Sequence, residues 1–334
     1  MTAQLLGDST PHTNDPCDLC GSLNRELLAT LDRHGKPLNT GICRQCGMVA
    51  HWQRPTEAEL QEFYASEYRQ SYHGEMTPSP RRVRRAWVNG QRIYQRLKPF
   101  VGPKDSIFEV GAGIGCNVKA FELNGHRAAG IDPGEGFQQF SHEQLRADVQ
   151  NRNLFELPET SQHEVILLIH VIEHFRSPRR ALAHIRKMLQ PNGLLYVECP
   201  NLAAPFATRS RLFHFAHITN FTHSSLRMLA ESCGFRVVEC FNDESNPNLQ
   251  VLLEKSKSTR QDIDPENYSR TLAAITRYNV LTYSLRPSYL LNRVAKLASY
   301  ATEYLVGSWW LNGVTRRCQA AKPLETSPDQ RRAA

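Results

Sequence analysis

The sequence predicts an α/β chain built on a mainly parallel sheet, and three observations carry that expectation. From Ser106 onward, short apolar runs alternate with longer amphipathic stretches, the pattern of strands joined by right-handed helical crossovers. The first run, 106-SIFEV-110, breaks directly into glycines at 111, 113 and 115, as a strand does where a ligand approaches the backbone closely. Ahead of it stand two C-x-x-C-G units, 17-CDLCG-21 and 43-CRQCG-47, so a small cysteine-bearing module precedes the sheet.

Taken in order, residues 1–15 are polar and read as a disordered N-terminus. Residues 16–55 form the cysteine module, with room between its halves for a small hairpin over 25–42. A helical connector follows over 56–104. Its first part, 56-TEAELQEFYASEYRQSY-72, has helical spacing with Thr56 as cap, and its second, 81-RRVRRAWVNGQRIYQRLKPF-100, is basic on one side and stops before Pro99. Over 105–256 strands are expected at 106–110, 127–131, 165–169 and 194–198, and helices at 115–124 and 178–190. The runs 235-FRVVECF-241 and 249-LQVLLEK-255 have no helix between them and read as an antiparallel edge hairpin. Residues 257–334 read as a helical, basic C-terminal extension, helical to about Cys318 and polar beyond it.

Composition bounds the function. The chain has 334 residues and a net charge of +7, and residues 255–334 hold 13 Lys/Arg against 6 Asp/Glu, so the remainder is neutral. A basic tail suits nucleic acid, anionic lipid or a phosphorylated substrate without choosing among them. No apolar run approaches the ~20 residues that span a bilayer, and the opening lacks a basic start and an apolar core, so a cytoplasmic address is expected. Nine cysteines in such a chain argue for thiols or metal rather than a disulfide framework.

The glycine spacing separates ligand classes. A dinucleotide fingerprint places glycines at positions one, three and six. Counting from Gly111, position three is Gly113 but position six is Cys116, and the third glycine is Gly115. The pattern E-x-G-x-G-x-G, opening on Glu109, fits a ligand with a cationic amino-acid end and no pyrophosphate. Asp132, in 130-GIDP-133, ends the next strand, where a carboxylate accepts from ribose hydroxyls. By itself the turn also fits a tight bend in another α/β protein.

At this point the sequence resembles the class I S-adenosylmethionine-dependent methyltransferases. The matching pieces stand in order: 109-EVGAGIG-115, 130-GIDP-133, 153-NLFELP-158, 170-HVIEHFRSP-178, 189-LQPNGLLYVECPN-201 and 217-HITNFTHSSLRMLAESCGF-235. The paired C-x-x-C-G units and the Tyr-rich 63-FYASEYRQSY-72 resemble the zinc-binding front end of bacterial methyltransferases that modify sugars and cell-surface glycans. The resemblance implies a Rossmann-like sheet of seven strands with the last antiparallel. It implies that Glu109, Gly111, Ala112, Gly113 and Gly115 hold the methionine part of S-adenosylmethionine, that Asp132 and Pro133 hold its ribose, and that Asn153 and Leu154 bracket its adenine, with His170 lining the site. Two departures stand out: Asn153 occupies a position that is usually acidic, and residues 257–334 read as helical where the better-known sugar C-methyltransferases carry a second large α/β domain.

An oxygen or carbon acceptor must lose a proton, which calls for a base. His217 ranks first because its segment follows the fifth strand, where the family places acceptor contacts. His174 and Glu173 come next, with a structural role at a helix start as the alternative. His170, His223 and Glu198 complete the candidates.

The cysteine units can supply four thiolates, from Cys17, Cys20, Cys43 and Cys46, to a structural tetrahedral Zn²⁺. A redox reading of one C-x-x-C does not explain the pair. Cys116, Cys199, Cys233 and Cys240 read as inert core thiols. The expected partner is a small-molecule acceptor such as a nucleotide-sugar. An RNA-, DNA- or quinone-modifying enzyme using the zinc module and 81-RRVRR-85 is the alternative, as is a non-enzymatic scaffold. The loop between the cysteine units lacks the basic–aromatic interleaving that binds nucleic acid. The stretch 303-EYLVGSWWLNGV-314 suits a packed helix, an oligomer contact or a peripheral membrane anchor.

Overall fold

The computed structural model describes residues 15–63, 77–204, 207–260, 262–278 and 280–321. The expected disordered start, most of the Tyr-rich stretch and the polar end fall outside the described residues. The chain divides into two compact units, one comprising Met1–Leu60, His170–Ala183 and Val197–Arg286, the other Gln61–Ile169, His184–Tyr196 and Pro287–Ala334.

In the first unit, strands β1 (Arg25–Leu31), β2 (Pro37–Cys43) and β3 (Val49–His51) follow the cysteines. β1 and β2 pair antiparallel as the expected hairpin, and β2 pairs antiparallel with β3. Leu28, Ile42, Val49 and Phe213 close a common core beneath them. Helix α1 (Glu57–Glu62) is the described part of the first connector helix. Thr56 caps it as expected: Thr56 donates its backbone N–H and its hydroxyl to Glu59, whose own N–H returns to the Thr56 hydroxyl.

The second unit opens with helix α2 (Pro80–Leu97). Its buried positions, Val83, Trp87, Gly90, Ile93, Tyr94 and Leu97, are linked by three- and four-residue steps and so form one apolar stripe. Strand β4 (Ser106–Val110) leads into helix α3 (Cys116–Glu122), followed by β5 (Arg127–Ile131), helix α4 (Glu135–Phe140) and β6 (Val149–Gln150). A Cβ at Gly90 would come within 2.9 Å of the Cys116 carbonyl oxygen, so the glycine is what lets α2 close on α3. β7 (His163–Ile169) and β5 both run parallel to β4. β4 is buried along its whole length and β7 over its central four residues, as parallel strands covered on both faces are.

Helix α5 (Pro178–Met188) and strand β8 (Leu189–Pro200) come next, then β9 (Thr219–Asn220), helix α6 (His223–Ser232), β10 (Phe235–Cys240) and β11 (Asn248–Lys255). The seven-stranded sheet has the order β10-β11-β8-β7-β4-β5-β6. β10 and β11 form the expected antiparallel hairpin. The fold is therefore the Rossmann-like seven-stranded sheet that the sequence predicts.

Three details differ from expectation. β8 begins at Leu189, ahead of the expected 194, and α5 stops at Met188 because Pro191 cannot continue a helix. β6 is two residues long, too short to leave a periodic signal. β9 pairs antiparallel with β3 and so completes a second sheet of order β1-β2-β3-β9, a long-range pairing that no local pattern announces.

Helices α7 (Asn267–Thr276), α8 (Val280–Ser284) and α9 (Pro287–Ala320) end the described chain. Val314 and Cys318 of α9 pack with Val83 and Trp87 of α2, so the end of the tail is a packed helix. Among the described residues no helix is long and apolar enough to cross a membrane. Cys116, Cys199 and Cys233 are buried as expected, whereas Cys240 is exposed because β10 leaves cover at its final residues.

Candidate functional site

The glycine turn follows β4 directly. Gly111, Gly113 and Gly115 all take positive φ, at 77°, 52° and 79°, a region that side chains disfavour. The turn is fixed from β5: Gly111 and Ala112 both donate their N–H to the Ile131 carbonyl at 2.8 Å. Asp132 extends this clamp, its two carboxylate oxygens accepting from the Gly113 and Gly134 N–H groups at 2.9 Å each. At Gly115 a Cβ would lie 2.2 Å from Ser141 Oγ and 3.1 Å from Val149. No other residue fits there.

Glu109 lies behind this turn and is 1% exposed. Asn117, in the first turn of α3, donates its side-chain N–H to Glu109 Oε1 at 2.6 Å. Glu109 Oε2 is buried and has no hydrogen-bond donor. Burial pushes the Glu109 carboxyl up to about 8, with Asn117 and the Val118 N–H partly offsetting it and the Asp132 charge adding to it. A buried carboxylate with an orphaned oxygen is a place for a cation.

Farther along, Asn153 caps a short 3₁₀ turn at Leu154–Glu156: its Oδ1 accepts from the Phe155 N–H at 3.3 Å, and Glu156 accepts from the Asn153 N–H at 3.1 Å. Leu154 is buried and Pro133 half-buried. The capping box holds the Asn153 side chain in one orientation.

The other unit carries a histidine–carboxylate cluster. His170 follows β7 and sits at φ 54°, a left-handed conformation rare for histidine. Its N–H donates to the Glu198 carbonyl at 2.7 Å, and its ring lies 3.5 Å from Glu173 Oε1 and 3.9 Å from Glu198 Oε1. Glu173 is in a 3₁₀ turn (Ile172–His174), not the start of the following helix as its sequence position suggests, and its side chain is 2% exposed. Both Glu173 oxygens are buried without a hydrogen-bond donor. His174 Nε2 and His217 Nε2 each stand 3.9 Å from Glu173 Oε1.

Two contacts orient these rings. His174 Nδ1 lies 2.6 Å from the Ala216 carbonyl oxygen, a distance that makes it the donor. The His217 ring meets the His174 ring edge-on at 5.1 Å and leans on the His214 ring at 3.8 Å. Burial lowers the His174 imidazole, and burial with the neighbouring His174 lowers His217 well below the ordinary histidine value. Glu198 is held by Asn248, whose side-chain N–H donates to Glu198 Oε1 at 3.3 Å.

The cysteine units converge in the same unit as the histidines. Cys17 and Cys46 sulfurs lie 3.5 Å apart, as do Cys20 and Cys43, and all four fall within 4.8 Å of one another. A tetrahedral Zn²⁺ with ~2.3 Å bonds holds its sulfurs ~3.8 Å apart, so the donor set fits the ion. The Gly21 and Gly47 N–H groups close each knuckle on the Cys17 and Cys43 carbonyls at 2.8 Å, with positive φ at both glycines. The neighbouring thiols push Cys17 and Cys46 up and hold Cys20 and Cys43 down, as expected where four sulfurs cannot all ionise without a cation. Asn267 secures the second knuckle by donating to the Cys46 carbonyl at 2.7 Å, and Gly47 has no Cβ to block that approach.

The structure thus brings Glu109, the glycines and Asp132 together around one turn, Glu173, His174 and His217 around one carboxylate oxygen, and the four cysteines around one point. Sequence reasoning missed Asn117, Asn248 and Asn267. Asn117, two residues past Gly115 at the start of a helix, is the one whose position could have suggested a partner for Glu109.

Residues 81–240 match the family model of a methyltransferase domain. The chain is 24% identical over 200 residues to a tRNA U34 carboxymethyltransferase of Klebsiella pneumoniae, covering 54% of this chain and 59% of that one. It is 23% identical over 118 residues to the thiol S-methyltransferase TMT1B of Mus musculus, covering 32% of this chain and 48% of that one. The matches thus span only about half to three-fifths of those proteins. Among solved structures it is similar to the Burkholderia thailandensis 1,6-didemethyltoxoflavin-N1-methyltransferase, with a TM-score of 0.48 and 18% identity, covering 63% of this chain and 96% of that one.

Proposed function

We propose that the chain transfers a methyl group from S-adenosylmethionine to a small-molecule acceptor, most specifically a nucleotide-linked sugar or a cell-surface glycan precursor. The observation that carries the reading is the orphaned, buried Glu109 Oε2 beside a turn of three positive-φ glycines. A ligand with an ammonium group supplies the missing donor, whereas a pyrophosphate would meet a carboxylate.

The residues then have distinct tasks. Glu109, steadied by Asn117, takes the ammonium, and Gly111, Ala112, Gly113 and Gly115 let the backbone lie against the aminoacyl chain. Asp132, oriented by Gly113 and Gly134, accepts from the ribose hydroxyls with Pro133 beside it. Asn153, fixed by its own turn, and buried Leu154 flank the adenine, and His170 lines the site. When bound, the donor supplies a methyl group on a sulfonium centre, open to in-line attack by the acceptor.

The acceptor's proton leaves through the cluster of Glu173, His174 and His217. His217 Nε2 is the base, and Glu173, 3.9 Å away, stabilises the proton it receives. Zinc at Cys17, Cys20, Cys43 and Cys46 is structural: it would hold β1 and β2 to the segments on either side of them. The zinc module ahead of the methyltransferase domain is what supports a sugar-type acceptor.

A second reading, methylation of RNA, is favoured by the tRNA-modifying relative and by Arg84 and Arg85 exposed on α2. Radiolabelled S-adenosylmethionine offered with nucleotide-sugar, glycan, quinone and RNA pools separates the two. Label in the nucleotide-sugar or glycan pool supports the first reading, and label confined to RNA replaces it.

A further inference from the structure

The Glu173 side chain is 2% exposed, and neither of its oxygens receives a hydrogen bond. Leaving a carboxylate in that state is costly unless a cation stands beside it. The His170 ring comes nearest, at 3.5 Å from Glu173 Oε1. His174 Nδ1 donates to the Ala216 carbonyl. Its Nε2 stands 3.9 Å from Glu173 Oε1. His217 Nε2 stands at the same 3.9 Å from the same oxygen. One buried carboxylate oxygen and two imidazole nitrogens thus converge on one point.

We infer that Glu173, His174 and His217 form a second metal site, separate from the four cysteines, that takes a divalent transition-metal ion through two imidazoles and one carboxylate. The three ligand atoms lie within 4.8 Å of one another. Nitrogen and oxygen donors bind zinc at ~2.0–2.2 Å, which puts two tetrahedral ligands ~3.4 Å apart, so the two 3.9 Å separations from Glu173 Oε1 are close to those of a filled site. The Nδ1–H bond from His174 to a backbone carbonyl is the outer contact by which metal-bound imidazoles are held in one tautomer and orientation. The His214 ring, tilted against His217 with centroids 3.8 Å apart, limits the movement of the His217 ring.

Nitrogen with a single carboxylate suits zinc, iron, cobalt or nickel rather than calcium or magnesium. Three protein ligands leave a position open. With the ion bound His217 Nε2 is a ligand and no longer a base, so, if the methyl-transfer reading holds, an acceptor hydroxyl entering that position would lose its proton directly to water, and more readily than when free. The site itself does not depend on that reading.

The test uses the full chain with its cysteine site already filled with zinc, titrated with Co²⁺. Wild type should take up one further equivalent, with visible d–d absorption and without the thiolate charge-transfer bands that cysteine ligands give. Glu173→Gln should weaken this uptake by more than the ~10–100-fold typical of losing an outer-shell contact, while zinc at the cysteines stays at one per chain. His217→Ala is the second variant and should do the same. Absence of a second equivalent in wild type overturns the inference. Equal Co²⁺ uptake by wild type and both variants also overturns it, since the ion is then on surface histidines. S-adenosylhomocysteine binding at the glycine turn, measured on the same samples, fails only if the methyl-transfer reading fails.

Discussion

Asn117 donates to Glu109 Oε1 at 2.6 Å and leaves Glu109 Oε2 buried with no donor. One oxygen is thus used to aim the carboxylate and the other is kept for something outside the fold. Strand β4 supplies the acid, the glycine turn brings α3 back over it, and Asn117 meets it from the first turn of that helix. The same two residues bear on stability. Because burial raises the Glu109 carboxyl from 4.5 to about 8, the folded chain holds a proton that the unfolded chain releases. Stability from this group is complete below pH 4.5 and declines as pH rises towards 8.

Asp132→Ala should weaken S-adenosylhomocysteine binding at least tenfold and also lower the melting temperature of the unliganded protein. The second effect follows because Asp132 accepts the Gly113 and Gly134 N–H groups, and each hydrogen bond to a charged group is worth ~1.5–3 kcal/mol. Thermal unfolding and calorimetry together check it. An unchanged melting temperature would mean that the turn holds its shape without the carboxylate.

Gly115→Ala and Gly125→Ala should separate packing from backbone strain. Both glycines have positive φ, but a Cβ at Gly125 meets nothing within 4 Å, while one at Gly115 meets Ser141 Oγ at 2.2 Å. Gly125→Ala should cost ~1 kcal/mol of strain, and Gly115→Ala clearly more, with loss of ligand binding. Equal costs in denaturant titration would contradict the clash.

Cys43→Ser should remove about one zinc per chain, measured by elemental analysis, and loosen the hairpin of β1 and β2, because the ion's binding energy is also folding energy. Asn267→Ala should keep the zinc but speed its loss to a chelator, since Asn267 secures the Cys46 carbonyl from α7.

Much of this was legible in the sequence, for identifiable reasons. β4, β5 and β7 announce themselves because parallel strands buried on both faces must be continuous apolar runs, and the glycine spacing excludes a dinucleotide turn without any coordinates. The cysteine pairs declare their geometry because four ligands at fixed spacing have few uses. What stayed hidden depends on chain segments far apart. β9 is two residues that pair with β3, and Asn267 reaches Cys46 across 221 positions. Glu173 reads as a helix-opening acid, and only its neighbours show that it is a buried carboxylate facing three imidazoles.

His217→Ala should lower kcat by roughly 10²–10⁴ while leaving affinity for S-adenosylhomocysteine near wild type. His174→Ala should in addition raise KM for the acceptor, because its ring holds the Ala216 carbonyl and hence the segment that bears His217. Steady-state kinetics on the two variants distinguish a residue that touches the acceptor from one that positions its neighbour. If His174→Ala abolishes turnover and His217→Ala only raises KM, the assignments exchange.

The central claim is that Glu109 waits for the ammonium of an aminoacyl donor, and calorimetric titration with S-adenosylhomocysteine in buffers of different ionisation enthalpy tests it most directly. Near pH 7 the unliganded Glu109, with its carboxyl at about 8, is mostly protonated, and an arriving ammonium drives it to ionise. One ligand should therefore bind per chain with release of close to one proton. The release should fade above pH 9, vanish in Glu109→Gln together with at least tenfold of affinity, and have no counterpart with NAD. Binding with no proton release at pH 7, or NAD binding as tightly as S-adenosylhomocysteine, would contradict the account.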